Sequence, residues 1–142
     1  AVRDTQTELP WGKIVTFNTR LFGNNGEDIA ASYLKDEGYK IVERNYRASR
    51  GEIDIVAYDG ERLAFIEVKA RRNREFGEGQ WAVDSRKQKQ IIKAALNYMM
   101  HRKLKNMAYR FDTVIVEDHQ ADGYKVMLIK DAFQPDGSEY NV

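Results

Sequence analysis

Apolar and polar positions alternate with two different periods along the chain. From Gly26 the pattern is helical: an inward stripe runs through Ala30, Tyr33, Leu34 and Glu37, Asn25 is placed to cap the start, and Gly38 marks the stop. Glu27 and Asp28 fall in the first turn, where carboxylates suit the helix dipole, and Glu27 sits at the edge of the apolar stripe. Tyr39 to Tyr46 reads as a strand and feeds a basic turn, Arg47-Ala48-Ser49-Arg50-Gly51. A second helix is expected after Asp84, with Ser85 and Gln88 at capping-box spacing and an apolar stripe through Ile91 or Ile92, Ala95, and Tyr98 or Met99. Phe111 to Glu117 and Tyr124 to Lys130 read as two more strands, followed by a short tail at Asp131-Ala132-Phe133.

Between these elements lie Glu52 to Ala57 and Leu63 to Ala70, flanking Asp59-Gly60, a strong hairpin signal. With Asp59-Gly60 as a two-residue turn, Asp54 stands opposite Phe65 and diagonal to Glu67. A four-residue loop instead sets Asp54 directly opposite Glu67, and a three-residue loop breaks the arrangement. Because strand side chains alternate by two, either even register puts Glu52, Asp54, Glu67 and Lys69 on one side of the hairpin. The predicted order is helix, three strands, helix, two strands in one domain spanning 20–142. Residues 1–19 form an N-terminal arm with no sustained period, left unassigned although Trp11, Ile14, Val15 and Phe17 are able to pack.

Composition narrows the chemistry. The 142 residues contain no Cys and 2 His, which removes disulfides, thiolate zinc sites, iron–sulfur clusters and cysteine nucleophiles. No apolar run approaches the ~20 residues of a bilayer span, and the first twenty residues have no apolar core of a signal peptide. A cytoplasmic protein with no membrane partner is the expectation. Net charge is only +1, yet Lys69 to Arg110 holds 12 Lys and Arg against 3 acids, so this window carries +9 and the other 100 residues carry −8. Such segregation suits a polyanion-facing surface, and it also suits a solvated helix face beside a basic loop.

Two carboxylates on one face, joined by a backbone carbonyl, are what a hard divalent cation takes. Asp54 and Glu67 supply the carboxylates and Val68 the carbonyl. Lys69 is placed to orient or deprotonate an attacking water or to neutralise charge on phosphate, and Glu27 adds a carboxylate from the neighbouring helix. Phosphate anchoring falls to Arg50, to the loop residues Arg71, Arg72 and Arg74, and to Arg86, Lys87, Lys89 and Lys93 at the start of the second helix. The competing reading is a solvated polar face with surface ion pairs of little energetic weight, with dipole complementation explaining Glu27. Trp81 reads as packing, and His101 and His119 as surface residues.

Several blocks closely resemble the YraN family of bacterial proteins: Gly26-Glu27-Asp28-Ile29-Ala30-Ala31, Glu43-Arg44-Asn45-Tyr46-Arg47, Arg50 to Ala57, Phe65 to Arg71, Ala82 to Gln88, Tyr109-Arg110-Phe111-Asp112 and Ile129 to Phe133. They fall in the family's order over about residues 20–134. The resemblance implies the restriction-endonuclease-like PD-(D/E)XK fold, a mixed α/β (α+β) domain whose central mixed sheet is flanked by helices, with a motif layout similar to archaeal Holliday-junction resolvases. It implies Asp54 as the first motif acid, Glu67-Val68-Lys69 as the E-x-K element and Glu27 as the helix acid. Ile53 stands where the motif's Pro would be. The implied activity is Mg2+- or Mn2+-dependent hydrolysis of DNA phosphodiesters, selective for structure in the manner of repair or recombination enzymes, by a homodimer where two symmetric cuts are needed. A catalytically silent nucleic-acid-binding module of the same fold is the alternative, and a protein-interaction domain a third.

Overall fold

The computed structural model describes residues 3–9, 12–17, 25–72, 83–118 and 123–135, with side chains from residue 25 onward except that of Arg72. Two strands come first, β1 (Arg3–Leu9) and β2 (Gly12–Phe17). They are followed by α1 (Gly26–Asp36), β3 (Lys40–Ala48), β4 (Gly51–Asp59), β5 (Arg62–Arg72), α2 (Ser85–His101), β6 (Tyr109–Asp118) and β7 (Tyr124–Phe133). The strands form one sheet in the order β1-β2-β7-β6-β5-β4-β3. Among these strands only β5 and β6 pair in parallel; the other neighbouring pairs are antiparallel. A parallel neighbour needs a crossover, and α2 lies within it. From α1 onward the order is α-β-β-β-α-β-β, as the pattern predicts, and the strands form the mixed sheet flanked by helices that the resemblance implies. The arm adds to it: β1 and β2 pair with each other, and β2 pairs antiparallel with β7 at Ile14↔Met127 through Phe17↔Tyr124.

The two helices cover opposite faces of the sheet. On one face α1 buries Ile29, Ala30, Tyr33 and Leu34 against Ile55, Ala57, Ala64, Ile66, Val114 and Val116. On the other, α2 buries Ile91, Ala95 and Tyr98 against Val56, Leu63, Phe65 and Phe111. Strands covered on both faces lose the alternation of a half-exposed sheet, and β6 is accordingly buried continuously from Phe111 to Val116.

Asn25 caps α1 as expected, its side-chain oxygen accepting from the amides of Glu27 (3.0 Å) and Asp28 (3.3 Å). For α2 the cap is one residue earlier than the capping-box spacing suggests. Asp84 accepts from the Lys87 amide at 2.9 Å, while the Gln88 side chain donates to the Val83 carbonyl at 2.7 Å. The tail at Asp131-Ala132-Phe133 is part of β7. Asp131 takes a left-handed conformation at a break in the β6–β7 register, which returns Phe133 to pair with Phe111, their rings stacked at 4.9 Å.

Two glycines set how closely the helices sit. A Cβ at Gly51 would collide with the backbone oxygen of Gln90, so α2 lies directly on the β3–β4 turn. A Cβ at Gly26 would come to 3.2 Å from that of Ala70, drawing the start of α1 onto β5.

Candidate active site

The β4–β5 hairpin turns at Gly60-Glu61, one residue later than Asp59-Gly60, with Asp59 paired to Arg62. Gly60 takes φ 63 and Glu61 does not have a positive φ, the signs of a type II′ turn, which asks for Gly at its first central position. The register continues to Ile55↔Ile66 and sets Asp54 across from Glu67, as the four-residue-loop register anticipates.

The pleat does not simply alternate through Asp54. Ile53 packs on the α2 side of the sheet, whereas Ile55 packs on the α1 side, so the backbone crosses over at the residue between them. There the Asp54 carboxylate accepts from the amide of Val68 on the neighbouring strand at 2.7 Å. A single shared side for Glu52, Asp54, Glu67 and Lys69 is therefore too simple.

Glu67 is on the α2 side of β5 with Phe65. Its side chain is 12% exposed, and Lys87 Nζ from α2 stands 3.8 Å from Oε1. Burial raises the Glu67 carboxyl first, then the negative charge of Asp54 and a hydrogen bond with it; Lys87 and Lys69 pull the other way, leaving it at about 7. Asp54 is raised as well, chiefly by burial, against the Val68 hydrogen bond. Burial and the charge of neighbouring carboxylates thus favour the protonated form of both carboxyl groups. Lys69 is lowered, first by burial and then by the like charge of Arg71, while Glu67 and Asp84 favour its charged form.

Glu27 acts on Asp54 from α1 through its charge. Its Oε1 accepts from Arg44 Nε at 3.1 Å and Asn45 Nδ2 at 3.0 Å. Arg44 also holds Asp28 at 2.6 Å. Glu27 is thereby bonded to neighbouring side chains rather than standing as a bare ligand.

The donor set fits a hard cation. Asp54 and Glu67 are two oxygen donors in contact, and Mg2+ binds through one or two carboxylates while keeping several waters. Among the described residues no cluster of three or more His, Cys, Asp or Glu is arranged to hold an ion by itself, so water or substrate oxygens would supply the balance.

The basic residues divide into two groups. Arg50, from the β3–β4 turn, joins Ser85, Arg86, Lys89, Gln90 and Lys93 of α2 around an open groove of about 530 Å³. Lys87 is on another side of the helix, toward Glu67. Arg71 lies near Lys69. The Arg72 side chain, Arg74, Trp81, Ala82 and His119 lie outside the described residues.

Sequence reasoning missed the polar cluster that braces the far end of the sheet. Asp112, fully buried, accepts from Tyr39 Oη at 3.0 Å, from Arg110 at 2.7 Å and from the Asp131 amide at 2.9 Å. Arg110 also donates to Asp59 at 2.7 Å. The available signal was Arg110 and Asp112 at alternate positions of an otherwise apolar strand. Thr113, the register partner of Glu67 on β6, is also fully buried, and its hydroxyl has no hydrogen-bond partner among the described residues.

A helix acid, an aspartate on the second strand of a meander and Glu-x-Lys on the third, beside a parallel strand reached through a helix, define a domain of the restriction-endonuclease-like class. The profile of "Uncharacterised protein family UPF0102" matches residues 26–116. A UPF0102 protein of Syntrophus aciditrophicus (strain SB) is 46% identical over 112 residues, covering 79% of this chain and 87% of that protein. One from Geotalea daltonii is 44% identical over 118 residues, 82% of this chain and 91% of its own length. One from Clostridium perfringens is 44% identical over 113 residues, 79% and 93%. The chain belongs to UPF0102, the YraN family. No helix among the described residues is long and apolar enough to cross a membrane.

Proposed function

We propose that this domain is a metal-dependent endonuclease that hydrolyses DNA phosphodiesters and selects its substrate by backbone shape. The observation that carries the reading is the convergence of two half-buried carboxyl groups, Asp54 and Glu67, with Lys69 and Lys87 beside them. Surface ion pairs do not require two half-buried acids in contact, and such pairs with displaced proton affinities are characteristic of sites that do chemistry.

Asp54 and Glu67 would hold Mg2+ or Mn2+, which when bound supplies Lewis-acid polarisation of the scissile phosphate. Lys69, whose ammonium is weakened by burial and Arg71, is placed to orient the attacking water and, once it has lost its own proton to solvent, to take the water's proton as the neutral amine. Lys87 neutralises charge at Glu67. Phosphates flanking the cut are taken by the Arg50, Arg86, Lys89 and Lys93 groove. A groove built of cations, with no base-reading element among the described residues, favours recognition by backbone and shape.

The test is cleavage of labelled duplex, single strand, flap and four-way junction with Mg2+ or Mn2+, comparing wild type with Asp54→Ala. Metal-dependent cutting that the substitution abolishes supports the enzyme, and the preferred branch names its substrate. Binding without cutting in either metal supports the silent module instead. Replacing Arg86, Lys89 and Lys93 by Ala should weaken binding and flatten the dependence of log K on log salt by about 0.9 for each duplex phosphate no longer neutralised.

A further inference from the structure

The block Glu43-Arg44-Asn45-Tyr46 on the edge strand has no role in the chemistry above, yet each of its residues is tied to a helix. Glu43 accepts from Arg102 just after α2 at 2.6 Å, and Tyr46 Oη donates to the Asn97 side chain of α2. Arg44 and Asn45 hold the start of α1 through Glu27, and Arg44 through Asp28 as well. The strand therefore ties to α2, then α1 twice, then α2, which regular alternation does not permit.

Asn45 is where alternation fails. Its φ is 55, in the left-handed region, in the middle of a strand. The register Arg44↔Ile55 and Tyr46↔Ile53 puts it directly across from Asp54, the residue at which β4 also changes face. Tyr46 and Ile53 go to the α2 side together; Arg44 and Ile55 go to the α1 side together. Asn is among the few residues besides Gly that visit this conformation readily.

We propose that Asn45 is the positioning residue of the acid pair. Its left-handed backbone carries β3 and β4 through the pleat at Asp54, so that the Asp54 carboxylate turns onto the Val68 amide and toward Glu67, while its side-chain amide keeps Glu27 alongside. The importance of this placement for metal binding rests on the function proposed above; the placement itself does not.

The two contributions separate by substitution. Asn45→Gly keeps the left-handed backbone and loses the amide, Asn45→Val disfavours that backbone strongly, and Asn45→Ala does so more mildly. One readout is the Val68 amide proton by NMR in metal-free protein, shifted downfield by its bond to Asp54, with Asp54→Ala setting the unbonded position and circular dichroism confirming the fold. Asn45→Gly should keep the wild-type position, while Asn45→Val, or Asn45→Ala if Val does not fold, should move toward the Asp54→Ala position. A wild-type Val68 shift in a folded Val or Ala variant overturns the proposal, as does a Gly variant displaced as far as they are.

The second readout is Mn2+ affinity from the electron paramagnetic resonance signal of the free ion. Asn45→Gly should remain within about threefold of wild type and Asn45→Val should bind at least about tenfold more weakly. If wild type binds Mn2+ no better than Asp54→Ala, the metal reading fails, and the Val68 shifts still decide the role of Asn45.

Discussion

Replacing Glu67 by Gln should stabilise the metal-free protein at alkaline pH. Glu67 is held at about 7 in the fold against an ordinary 4.5, mainly by burial and by Asp54. The folded state thus binds this proton more tightly than the unfolded chain, and unfolding free energy falls as pH rises from about 4.5 through about 7. Each tenfold change in proton affinity is worth about 1.4 kcal/mol, so the loss amounts to about 3 kcal/mol by pH 8. Gln keeps the shape and cannot ionise. The stability difference between Glu67→Gln and wild type should therefore grow by about 3 kcal/mol between pH 4.5 and pH 8, or about 10 °C in Tm for a chain of this size. Thermal unfolding followed by circular dichroism in EDTA, at half-unit steps of pH, measures that difference while cancelling the titration of carboxyls remote from the Asp54–Glu67 pair. Parallel pH curves for the two proteins, or a variant less stable at pH 8, would refute the account of a destabilised acid pair. Adding Mg2+ at pH 8 should raise wild type, by about 2.7 kcal/mol at a hundredfold excess over Kd, and leave the variant nearly unmoved.

Gly51→Ala places a methyl group against the backbone oxygen of Gln90; denaturant unfolding should show a loss of about 1–3 kcal/mol, with weaker DNA binding because Arg50 and α2 move apart. Arg110→Met leaves the fully buried Asp112 carboxylate without its main partner, which should cost about 3–5 kcal/mol in the same assay at neutral pH. Thr113→Val removes a buried hydroxyl that has no partner among the described residues and should raise stability by about 1 kcal/mol, read as a higher Tm; a fall of similar size would mean the hydroxyl is bonded.

Much of this protein is determined locally and is therefore legible in the sequence. Asn25 and the stripe from Ala30 to Leu34 specify α1 because capping and a 3.6-residue period act within one segment. Glu67 and Lys69 share a face because a strand's period is two, a property of β5 alone. Asp54 was recognisable as a candidate through an even hairpin register, though Gly60 moved the turn by one residue.

What needed the tertiary structure involves segments that meet only after folding. No local pattern says that Lys87 faces Glu67 while Arg86, Lys89 and Lys93 line a groove with Arg50, since that depends on the angle at which α2 docks over Gly51. The strands of the N-terminal arm carry no clear period; β2 takes its place by pairing with β7, a partner about 110 residues away in sequence, and β1 by pairing with β2. The left-handed turn at Asn45 gains its meaning from Asp54 across the ladder, and the raised proton affinity of Glu67 from burial beneath α2 and contact with Asp54. Backbone periodicity is a short-range property, whereas proton affinity, helix docking and strand pairing depend on which distant groups share a low-dielectric interior.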